Sequence, residues 1–132
     1  MTVPTNATHR LVELDEAECW GLLAAAEVGR LVWNGPDGPT ALTVNHRLDG
    51  HDVLLRSTPY GSIGREVDDS PVAFQVDHAD VQQHAGWSVL LRGRAAFDYD
   101  GAAAPVDVWP EGRRTLLVRV SPTSISGRRL LA

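Results

Sequence analysis

The stretch Val28-Gly29-Arg30-Leu31-Val32-Trp33-Asn34-Gly35-Pro36-Asp37-Gly38 runs an apolar, β-branched segment straight into five consecutive turn formers. Residues 28–33 therefore read as a strand and 34–38 as a hairpin turn into the next one. Residues 40–48 alternate loosely, Asp49-Gly50 marks a second tight turn, and residues 53–58 read as a third strand. Three strands thus meander in sequence. Upstream the period is helical: Asp15 and Glu18 have the form of a capping box, and Cys19, Leu22, Leu23 and Ala26 recur at helical spacing, which predicts a helix over residues 15–25. Residues 1–13 are polar and read as a loose arm, with one domain over 14–132.

Downstream, Pro59-Tyr60-Gly61-Ser62 ends the third strand, and Ser62 can cap a short helix reaching Asp68. Residues 71–77 form a fourth strand, 80–86 a polar loop, and 87–99 a long fifth strand that Gly93 should bend. A linker over 100–112, rich in Ala, Pro and Gly, leads to a last strand at 116–120. The connections are too short for helical crossovers, so the strands run antiparallel, and closure into a barrel would remove their open edges. The expected architecture is mainly β, a six-stranded antiparallel barrel with two short helices.

Composition sets further bounds. The 132 residues are 43% hydrophobic and 22% charged, enough for one core and no second domain. A net charge of -5, from 17 acidic and 12 basic residues, argues against a nucleic-acid binder but leaves room for a small anion held by a local arginine cluster. All the basic residues are arginine, which removes Schiff-base chemistry. Cys19 is the sole cysteine, so no internal disulfide can form, and a reducing cytoplasm is the expected setting. No apolar run is long enough to span a membrane. The histidines, His9, His46, His51, His78 and His84, show no metal-ligand spacing, and no metal site is expected; His46, beside Asn45, should lie at the surface, the alternative being a pocket position as a proton donor. A Gly-x-Ser-x-Gly elbow is absent, which removes the usual Ser-His-Asp hydrolase reading.

Six segments, in this order and spacing, resemble those of the pyridoxamine 5'-phosphate oxidase-like flavoproteins. They are Glu27-Val28-Gly29-Arg30-Leu31, Leu42-Thr43-Val44-Asn45, Leu55-Arg56-Ser57-Thr58, Gly61-Ser62, Phe74-Gln75-Val76-Asp77, and Gly86-Trp87-Ser88-Val89 with Gly93. The likeness extends from Leu14 to Arg128 and is to the actinobacterial branch of that family. It implies an FMN-binding split barrel working as a homodimer, with the flavin across the subunit interface. It also implies an oxidoreductase passing hydride or electrons between the flavin and a small-molecule substrate or electron acceptor. A deazaflavin F420, a haem, or a cofactor-free binding protein is the alternative.

By the same resemblance the flavin phosphate lies near Arg56, Ser57, Thr58 and Ser62, where the residues themselves supply an arginine fork, hydroxyls and a helix start. Arg65 either reaches back to that phosphate or faces solvent. Thr43, Val44 and Asn45 match the strand that faces the flavin ring, although Asn45 could equally cap a bulge. Trp87, Ser88 and Trp109 are candidates for closing over the flavin from the second subunit, or for packing alone. Related sequences carry a lysine directly after the Gly-Ser pair, where this chain has Ile63, so one phosphate contact is missing.

Overall fold

In the computed structural model, the residues described are 10–99, 106–109 and 114–131. Eight strands and two helices follow in the order β1 (Arg10–Glu13), α1 (Glu16–Ala25), β2 (Val28–Gly35), β3 (Gly38–Asn45), β4 (Arg47–Asp49), β5 (Asp52–Ser57), α2 (Ser62–Glu66), β6 (Ser70–Asp80), β7 (Ala85–Phe97) and β8 (Leu116–Leu131). The strands form one antiparallel sheet in the order β3-β2-β6-β7-β8-β5-β4, with β1 added to β8. The sheet curls into a split barrel. Along β2, Leu31 and Trp33 point into the core, and Val72, Phe74 and Val76 of β6 and Val89, Leu91 and Ala95 of β7 meet them there. The alternation is what a sheet with one buried face requires.

Two more strands are present than the sequence suggests, and each difference has a physical cause. Residues 10–13, read as part of a loose arm, pair with Leu131 to Arg128 at the far end of β8. That end exists because β8 continues through Pro122, where residues 116–120 had seemed the natural limit. A proline lacks the ladder donor, but Pro122 stands opposite Gly93 at a register shift, where a regular ladder bond is not needed. The bend expected at Gly93 is this bulge. A Cβ on Gly93 would come within 2.2 Å of the Ser121 carbonyl oxygen, so only glycine allows the two strands to approach so closely. β4 is a three-residue strand paired with β5, and it sets Asp49 directly opposite Asp52. Arg119 of β8 neutralises this like-charged pair, donating to Asp49 at 2.9 Å, to Asp52 at 3.1 Å and to Asp98 at 3.0 Å.

The first helix starts as the sequence predicts: the Asp15 carboxylate accepts a hydrogen bond from Glu18 N at 2.8 Å. Its buried residues Cys19 and Leu23 face the barrel. Burial, reinforced by Asp15, Glu18 and Glu16, pushes the Cys19 thiol pKa up, so the sulfur stays a thiol and fills space. The second helix is a single turn, and Gly61, not Ser62, is its N-cap. Thr58 shapes the turn before it, its hydroxyl oxygen accepting from Gly61 N at 3.2 Å. The 80–86 loop contracts to residues 81–84 because the Asp80 carboxylate accepts from Gln82 N and Gln83 N, both at 3.1 Å, closing a tight turn. Most of the 100–112 linker lies outside the described residues. No described helix is long and apolar enough to cross a membrane.

Candidate functional site

The two ends of the curled sheet, β3 on one side and β5 with β4 on the other, face each other across a cleft of about 380 Å³. Leu42, Thr43, Val44 and Asn45 line one wall, and Arg56, Ser57, Gly61, Ser62 and Ile63 the other. Val28, Val108, Trp109 and Arg114 complete it. The cleft is thus the seam of the barrel. β3 is an edge strand, bonded to β2 on one side only, so alternate backbone N–H and C=O groups along it are offered to whatever fills the seam.

Seven residues singled out in the sequence meet here: Thr43, Val44, Asn45, Arg56, Ser57, Ser62 and Trp109. Thr58 is not among the lining residues, and its hydroxyl serves the turn into α2. Arg65 is exposed on α2, away from the lining. Trp87 and Ser88 sit half-buried on β7, opposite Arg129 and Arg128 of β8, and also lie outside the cleft. The short α2 contributes little dipole to a phosphate, and the cleft's positive charge comes from side chains instead.

Asn45 is 8% exposed and its amide makes one hydrogen bond through each of its polar atoms. Its Nδ2 donates to Glu27 O at 3.3 Å, and its Oδ1 accepts from Trp109 N at 2.9 Å. Asn45 therefore ties the 106–109 segment to the end of β3 and sets one wall of the cleft. His46, expected at the surface, is buried: its Nε2 donates to Leu23 O at 3.0 Å, its ring meets Phe74 edge-on, and Nδ1 has no partner among the described residues. Desolvation lowers its pKa, and the bond to Leu23 opposes this only in part. The turn after β3 draws the imidazole inward, since His46 N also donates to Glu27 O at 3.1 Å.

Ile63 belongs to the hydrophobic core and is 4% exposed, bordering the cleft only with its edge. A side chain at 63 must pass through apolar surroundings before it can reach the cleft, so the position does not simply face a phosphate. Arg114 was missed in the sequence because it falls where the linker reading ended. The signal was in the strand pairing: Ser57 pairs with Leu116, so the residues before Leu116 run past the end of β5. Among the described lining residues, Arg56 and Arg114 are the two charged ones, both positive, in a chain whose net charge is -5.

Residues 15–129 match the pyridoxamine 5'-phosphate oxidase family, and the chain belongs to that family. An uncharacterised protein of Mycobacterium tuberculosis is 26% identical over 137 residues, covering 96% of this chain and 90% of that protein. The structure of the FAD-binding protein from Mycobacterium smegmatis superposes with a TM-score of 0.72 at 29% identity, over 91% of this chain and 98% of that one. A conserved protein of unknown function from Corynebacterium diphtheriae gives 0.74 at 27% identity, over 92% of this chain and 98% of that one.

Proposed function

We propose that this protein binds a flavin nucleotide in the barrel seam and acts, as a cytoplasmic homodimer, in oxidoreduction of a small molecule. One observation carries the reading: edge strand β3 and the Arg56-Ser57-Ser62 group, separated in the chain by β4, line one apolar-walled cleft. The donor set fits the ligand. A flavin ring is a flat apolar body whose rim nitrogens and oxygens need hydrogen-bond partners once buried, and an edge strand offers such partners in a row. Its phosphate needs charge-assisted donors, which the Arg56 guanidinium and the Ser57 and Ser62 hydroxyls supply. Val28, Leu42, Val44 and Val108 exclude water from the ring. The M. smegmatis relative, an FAD-binding protein, adds support. The haem alternative is less well served, because the described lining holds no His, Cys, Met or Tyr to ligate iron.

A bound flavin supplies the hydride or electron transfer, and the chain's part is to hold, orient and desolvate it. The second subunit would close the seam, with Trp87 and Ser88 as the residues presented from β7. Fluorescence titration with FMN tests the anchor. Arg56→Ala should weaken binding by roughly 1.5–3 kcal/mol, the range for one charge-assisted hydrogen bond. Unchanged affinity would place the phosphate elsewhere.

A further inference from the structure

The two walls of the cleft come from different parts of the chain, and a flavin nucleotide has to meet both at once. β3, the wall for the ring, is bonded to β2, whereas the wall for the phosphate ends in α2 with Ser62. α2 is a single turn, too short to hold an orientation by itself. Ile63 and Val67 sink into the core one turn apart, but apolar contacts are non-directional and leave the turn free to rock about the line that joins them. Ser62 and Glu66 form the neighbouring pair at the same spacing, so whatever fixes Glu66 also fixes where Ser62 faces.

A side-chain hydrogen bond does this from across the fold. Trp33 of β2, buried in the core, donates from Nε1 to Glu66 Oε1 at 3.1 Å. Trp33 pairs with Thr40 of β3 on one side and with Val72 of β6 on the other, so the sheet itself holds the donor. The end of β2 leaves room for the carboxylate: a Cβ on Gly35 would stand 2.6 Å from Glu66 Oε1. Gly35 is not left-handed, so the space and not the backbone angle calls for glycine there. Glu66 itself does not line the cleft.

Resting on the flavin reading above, we propose that Glu66 is a positioning residue that, through Trp33, sets the phosphate wall against the ring wall and so makes the cleft favour a flavin carrying a phosphate over riboflavin. One short chain joins the ring of the nucleotide to its phosphate, so both ends bind only when the two walls are in register. Riboflavin lacks the phosphate and needs the ring wall alone.

Titration of the full chain with FMN and with riboflavin tests this. Glu66→Ala should raise the FMN Kd about tenfold and leave the riboflavin Kd within about twofold. Glu66→Gln, whose side-chain oxygen still accepts from the Trp33 indole, should bind both flavins as the parent does. Gly35→Ala should dislodge the carboxylate and weaken FMN alone, and it should add nothing in a Glu66→Ala background. Riboflavin binding checks the fold of each variant, and should Glu66→Ala fail to fold, Gly35→Ala decides by the same two constants. An unchanged FMN Kd in Glu66→Ala, an equal loss of both flavins, or a Glu66→Gln variant as weak as Glu66→Ala overturns the assignment. A parent that binds neither flavin is a different result, which ends the flavin reading and this role of Glu66 with it.

Discussion

Asn45 and His46 are adjacent in the chain and both buried, and each is held by the protein rather than offered to solvent. For Asn45 the bond to Trp109 N gives it a positioning part: it ties Trp109, which stands 61% exposed at the cleft, to the end of β3. For His46 the consequence is a pH dependence. Burial holds its folded pKa below the ordinary 6.5, so the folded chain takes up this proton less readily than the unfolded chain. Stability from this group is fully present above about pH 6.5 and declines as the pH falls through that value toward the lower folded pKa. Thermal melting should therefore drop between about pH 7.5 and pH 5.5. In His46→Gln, whose amide can keep the bond to Leu23 O without titrating, the drop should be smaller. An identical slope in the variant would assign the pH dependence to other groups.

At the scale of elements, the β7·β8 ladder holds the fold together, and its one irregularity is the bulge at Gly93. Gly93→Ala would set a methyl group 2.2 Å from Ser121 O, so the two strands must part locally. The expected cost is about 2 kcal/mol, within the range for overpacking, read as a lower midpoint in urea unfolding. A midpoint like the parent's would show that the bulge can relax without loss. Gly93 was legible as a bend because an isolated glycine in a strand has few other uses. The extension of β8 through Pro122 was not legible, because the proline's tolerance depends on Gly93, nearly thirty residues earlier and opposite it in the sheet. The same holds for the site. Arg56, Ser57 and Ser62 lie within seven residues and their phosphate chemistry is readable locally, whereas Arg114 gains meaning only from the β5–β8 register. The core position of Ile63 was hidden for a like reason: a one-turn helix has too little periodicity to show which side faces in.

For the whole molecule, an acidic chain with a net charge of -5 closes into a split barrel that has two arginines on the cleft at its seam. The net negative charge works against anion binding in general, and the two arginines give the cleft a local positive charge that favours it. The edge of β3 and the half-buried Trp87 and Ser88 on β7 lie on different parts of the barrel, so a site using both needs two copies of the chain. The most direct measurement is a crystal structure of the protein saturated with flavin. The account predicts density for one flavin per chain, its ring along residues 43–45 of β3, its phosphate on Arg56, Ser57 and Ser62, and the partner subunit's Trp87 closing over it. Density for the flavin at another surface, or a seam left without flavin at saturating concentration, would contradict it.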